Sequence, residues 1–110
     1  MANTFKLKTK ANVGVSTVGI YTAPAATTTV VIGITLANTS GSGVNVGVAV
    51  SRTSDTKEDI KLLKNAPIPQ GSSLEFMGGN KVVLETTDTL TVDSDTNNSV
   101  DAALTIMEIT

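Results

Sequence analysis

The chain has 110 residues, 40% hydrophobic and 16% charged, with eight Lys or Arg against ten Asp or Glu for a formal charge of −2. This length suits one domain of two packed layers spanning 1–110, and the low charge leaves Thr, Ser and Asn to cover the surface of a neutral, β-rich protein. Histidine, cysteine and tryptophan are absent, which excludes disulfides, Cys/His zinc sites and the Ser-His-Asp and Cys-His nucleophile systems.

The opening Met1-Ala-Asn-Thr-Phe-Lys6 lacks the basic and apolar regions of a secretory signal, and no run reaches the length of a membrane span. Synthesis and assembly in a cytoplasm, with no membrane partner, are expected. Phe5 and Leu7 then alternate with Lys6 and Lys8, which predicts an edge strand whose outward lysines discourage unwanted pairing. Lys6, Lys8 and Lys10 form the single basic cluster, too small to suggest nucleic-acid binding. Val18 and Ile20 mark a short second strand, closed by Pro24, which cannot donate to a central ladder.

Alternation is clearest in the next two segments. Val30, Ile32, Ile34 and Leu36 fall on one face, with Thr29, Gly33, Thr35 and Ala37 on the other; Val44, Val46, Val48 and Val50 repeat the pattern against Asn45, Gly47 and Ser51. Adjacent core strands are predicted, joined by a hairpin loop over Asn38-Thr-Ser-Gly-Ser-Gly43. Ser54 to Leu63 competes as a helix, because Asp55-Thr-Lys-Glu-Asp59 resembles a capped first turn, but its apolar part is short and Pro67 and Pro69 follow. A strand over Asp59 to Lys64 is preferred. Further strands are predicted at Ser73 to Met77, Lys81 to Glu85 after a Gly78-Gly79-Asn80 turn, Leu90 to Asp93, and Val100 to Ile109. Eight or nine short strands at regular spacing predict an all-β fold, an antiparallel β-sandwich of Ig-like or jelly-roll-like type. The last strand is apolar on both faces, Val100, Ala102, Leu104 and Ile106 on one and Ala103, Met107 and Ile109 on the other, so it is expected at the centre of the packing or against a neighbouring subunit.

Little in the chain suggests catalysis. Asp55, Glu58, Asp59, Glu75, Glu85 and Asp88 could supply a carboxylate pair, but Phe5, Tyr21 and Phe76 are the full set of aromatics and make poor sugar platforms. Gly78-Gly79 is too short for a phosphate cradle and precedes a strand. Asp93-Ser-Asp95-Thr-Asn97-Asn98 spaces oxygen side chains as a calcium loop does, yet Leu104 stands where the terminal glutamate belongs, and Asx-turns explain the composition without an ion. No catalytic, cofactor or metal residue is assigned. Pro67-Ile68-Pro69 reads either as a stiff crossing between sheets or as a wedge presenting Ile68 to a partner.

The order of several blocks is informative: Met1-Ala-Asn-Thr-Phe5, Tyr21-Thr-Ala-Pro-Ala-Ala-Thr-Thr-Thr29, Asn65-Ala-Pro-Ile-Pro69, Gly71-Ser-Ser-Leu-Glu75, Lys81-Val-Val-Leu-Glu85 and Asp88-Thr-Leu90. Taken together they resemble small β-sandwich virion proteins of tailed bacteriophages over most of the chain. The resemblance implies a non-enzymatic homo-oligomer present in many copies. A capsid decoration or cement protein bound to the major capsid protein is the first expectation, with a trimer favoured at three-fold positions. A neck, tail or fibre-attachment component is the alternative, and a carbohydrate-binding host-attachment module a further one. Thr53 to Asp59 is the least typical stretch and the place where this member would meet its own neighbour. Phe5, Tyr21, Ile68 and Phe76, large apolar groups outside the Val/Ile stripes, are the interface candidates.

Overall fold

The computed structural model describes residues 3–52, 58–76 and 81–110. Nine strands occur among them: β1 (Asn3–Val13), β2 (Val18–Thr22), β3 (Thr28–Asn38), β4 (Val44–Ser51), β5 (Ile60–Ile68), β6 (Ser73–Phe76), β7 (Val82–Leu84), β8 (Thr89–Ser94) and β9 (Val100–Ile109). They form two antiparallel sheets. The first has the order β1-β9-β3-β6, with β7 sharing the edge of β3 beside β6, and the second has the order β2-β8-β4-β5. β6 pairs with Ile34–Ala37 and β7 with Thr29–Val31, so together they act as one interrupted edge strand.

Counted that way, β1 pairs with β9, β2 with β8, β3 with β6/β7 and β4 with β5, while β9–β3 and β8–β4 contacts close the two sheets. This is a long antiparallel ribbon folded over on itself, the jelly-roll arrangement rather than the Ig-like one. Between the sheets lies a core of Val, Ile and Leu that includes Val31, Ile34, Leu36, Val46, Val48, Leu84, Leu90, Val92, Leu104 and Ile106.

The ribbon overturns two local expectations and bears out two other readings of the sequence. β3 and β4 lie in opposite sheets, so Asn38–Gly43 is a crossing loop and not a hairpin. Asn38 clamps that crossing: its buried amide donates to the carbonyls of Ser42 (2.8 Å) and Ile68 (2.9 Å) and accepts from the Ser40 amide (2.9 Å). β3 also contains a bulge at Ile32, between the pairs Val31↔Ile106 and Gly33↔Thr105. An extra residue reverses the alternation, so Val31, Ile34 and Leu36 face the core while Val30 turns outward. In the segment offered as a possible helix, Ile60–Leu63 is strand, and positions 53–57 lie outside the described residues, as do positions 77–80 with the expected Gly78-Gly79-Asn80 turn. Finally, Pro67 and Ile68 end β5, an edge strand that tolerates proline, and a turn with Gly71 at φ 73° and a Ser72 amide to Pro69 carbonyl bond (3.1 Å) leads across to β6. The proline segment is a crossing between sheets.

Candidate interaction surface

Directly opposed residues in an antiparallel pair share a face, and the register of the first sheet therefore assigns both of its faces. Thr4, Lys6, Lys8 and Lys10 of β1 stand opposite Glu108, Ile106, Leu104 and Ala102, the core-facing residues of β9. The expected outward lysines thus lie on the inner face, at the mouth between the sheets, and Phe5 and Leu7 point away from the core. The reversal follows from β9, whose Leu104 and Ile106 are wholly buried and hold the register in place.

On the outer face a row of apolar residues crosses four strands: Phe5 opposite Met107, Met107 opposite Val30, and Val30 opposite Val83. At the usual strand spacing the row is about 14 Å wide. Phe5, Leu7 and Val83 are 68%, 64% and 54% exposed, and Val30, Ala103, Met107 and Ile109 are half-buried. Beside the row, small residues of β3 and β9 leave two shallow depressions, one lined by Gly33, Thr35, Glu75, Ala103 and Thr105 and the other by Thr9, Thr35, Ala37, Asp101 and Ala103. The second apolar face of β9 therefore belongs to the molecular surface, in the middle of its sheet.

The other sheet presents a different outer face. Asn45, Gly47, Ala49, Thr89, Thr91 and Asp93 make it small and polar. A cleft of about 160 Å³ runs over Gly47, lined also by Thr17, Lys61, Asn65 and Asp93. A Cβ on Gly47 would stand 2.5 Å from Asp93 Oδ1 and 3.3 Å from the Leu63 carbonyl, so the glycine makes room for the carboxylate, whose other oxygen accepts from Thr17 (3.3 Å).

Four of the carboxylates that could have formed a catalytic pair or a calcium loop have structural work. Arg52 Nε donates to Asp88 Oδ1 (3.1 Å) and its Nη2 reaches Glu85 Oε1 (2.7 Å), joining the end of β4 to the β7–β8 turn. Asp59 accepts from the Arg52 amide (2.6 Å). Asp95 accepts from the Asn45 amide (3.1 Å), and the loop after it is closed by a Ser94–Ser99 hydroxyl contact (2.7 Å) and a Ser99 bond to the Thr96 carbonyl (2.6 Å), with Asn98 at φ 51°. These contacts fit the turn reading of Asp93–Asn98.

Of the four interface candidates, Phe5 is on the outer apolar row. Tyr21 and Ile68 are not available to a partner: they are 7% and 1% exposed, because β2 and β5 turn these side chains into the core. Phe76 lies in β6 with its backbone opposite Ile34. Sequence reasoning missed Leu7 and Val83 as surface groups, although the strict alternation of β1 held the signal for Leu7.

Tyr21 instead completes a buried polar cluster. Its phenol donates to Glu108 Oε2 (2.6 Å) and, having a single hydrogen, accepts from Thr29 (2.7 Å), while Lys6 Nζ meets Glu108 Oε1 at 2.8 Å. Burial first, and then the bond to Glu108, push the Tyr21 phenol up to about 12. Glu108 moves the other way, held below its ordinary value by Lys6 first and Tyr21 second.

No family model, curated protein or solved structure matches this chain. The functional reading rests on its own residues.

Proposed function

We propose that this chain is a non-enzymatic structural protein of a tailed-bacteriophage virion, a decoration or cement protein that binds the major capsid protein and stiffens the shell. The observation that carries the reading is the outer face of the β1-β9-β3-β7 sheet, where Phe5, Leu7 and Val83 project beside Val30, Met107 and Ile109. Contiguous exposed apolar surface of this kind marks a protein contact, and the rigid two-sheet frame behind it presents the face without reorganisation. The block order described above supports the phage setting.

The mechanism is addition of modest buried area at many symmetric positions, where multivalency makes the whole assembly hard to dissociate. A homotrimer at three-fold positions bridges adjacent capsid subunits. Assembly takes place in the host cytoplasm and the protein ends on the particle. Neither nucleic acid nor a membrane is a partner in this scheme, and no cofactor takes part.

The double substitution Phe5→Ser with Leu7→Ser separates binding from folding. Both side chains are mostly exposed, so the isolated protein should keep its stability to within about 1 kcal/mol. Added to shells stripped of this protein, wild type should raise their melting temperature and the double variant should not. Scanning calorimetry of the shells reads both effects, and an unchanged shell with wild type bound or absent would remove the cement role. Rings of six or twelve copies in solution would favour the neck or tail instead.

A further inference from the structure

We propose that β1 is a docking edge for an extended segment of another protein in which acidic and apolar residues alternate. β1 is paired with β9 on one side and has no strand on its other side among the described residues. Its register with β9 is regular from Asn3↔Ile109 to Lys10↔Ala102, and the irregularity that follows, with Asn12 at φ 58° and its amide on Asp101 (3.0 Å), ends the straight edge. An added antiparallel strand would find its backbone partners along that length.

The two faces of the edge state what the strand must carry. Phe5 and Leu7 lie on the outer face, so apolar residues opposite them would extend the row that already runs to Val83. Lys6, Lys8 and Lys10 lie on the inner face and are the charged residues of this strand, in a protein with a net charge of −2. Glu108 shows the pairing that face accepts: it reaches Lys6 from β9 at 2.8 Å. Lys8 and Lys10 face Leu104 and Ala102 in the ladder, which bring no carboxylate to them. Acidic side chains on an added strand would stand opposite these two, where cross-strand opposite charges are favourable.

A second copy of the chain is the wrong occupant. Two-fold pairing of β1 with itself keeps both inner faces on one side and sets the lysines of one copy against those of the other, an arrangement that like-charge repulsion opposes. The edge is thus guarded against itself and open to an acidic partner. The inference holds whether or not the protein works on a virion.

The test fuses a segment of alternating Val and Glu, the length of Asn3–Lys10, ahead of residue 1 of the full chain through a flexible Gly/Ser linker, which raises its local concentration to the order of millimolar. A Val and Lys segment serves as control. Hydrogen exchange of the β1 amides should slow by about tenfold or more in the acidic fusion and not in the basic one. In a Lys8→Glu/Lys10→Glu background the preference should reverse. Equal protection by both segments, or none by either, overturns the proposal; in the unfused variant, exchange at β9 reports that the fold is intact.

Discussion

Leu104→Ala should lower the unfolding free energy by about 2–5 kcal/mol and the melting temperature by roughly 10 °C or more. Leu104 is fully buried in β9, a strand flanked on both sides by β1 and β3, and its ladder partner on β3 is the core residue Ile34. Truncation there removes dispersion contacts and leaves a cavity that the surrounding ladder cannot collapse around. Leu7→Ala is the matched control, the same chemistry on a side chain that is 64% exposed, and it should change stability by no more than about 0.5 kcal/mol. Urea unfolding compares the two directly. A cost at Leu7 as large as that at Leu104 would mean that β1 is paired with β9 one residue out of the register described, because a single slip turns over the two faces of β1 while β3 keeps Leu104 in the core.

Glu108→Ala should cost about 2–4 kcal/mol, for a different reason. It leaves the Tyr21 phenol, 7% exposed, without its strongest acceptor and leaves Lys6 without its carboxylate. The pH dependence gives a second signature of the same cluster. Glu108 sits below its ordinary value of 4.5 in the folded protein, so the folded state binds that proton more weakly than the unfolded chain does. Its contribution is complete above 4.5 and is lost as pH falls through that value towards the lower folded one. Tyr21, raised from 10.0 to about 12, behaves in the opposite sense: its contribution is complete below pH 10.0 and is lost as pH rises from there to about 12. Glu108→Gln should therefore flatten the acid limb of the stability profile, and an acid limb identical to that of wild type would remove Glu108 from the account.

The strands were legible in the sequence because β-branched residues alternate along them, and nearly all appear where the pattern places them. Their partners were not, since a ladder between β1 and β9 joins the two ends of the chain and leaves no local trace. β3 shows how a single residue defeats periodicity. The alternation from Val30 to Leu36 looks unbroken as text, but the bulge at Ile32 places Val31 and Ile34 on the same face. Tyr21 shows a second limit, because an aromatic outside the aliphatic stripes reads as a surface anchor until Glu108 and Thr29 are brought to its hydroxyl from β9 and β3. The surface patch is the part least visible in advance: its row joins residues 5, 107, 30 and 83, which only the sheet order puts side by side.

The virion assignment is tested most directly by counting this protein in purified phage particles, using quantitative mass spectrometry against the most abundant shell protein. A cement protein should be present at a number comparable to that of the shell protein. A handful of copies per particle would contradict the capsid position and place the protein at the neck or tail, and its absence from the particle would contradict the assignment altogether.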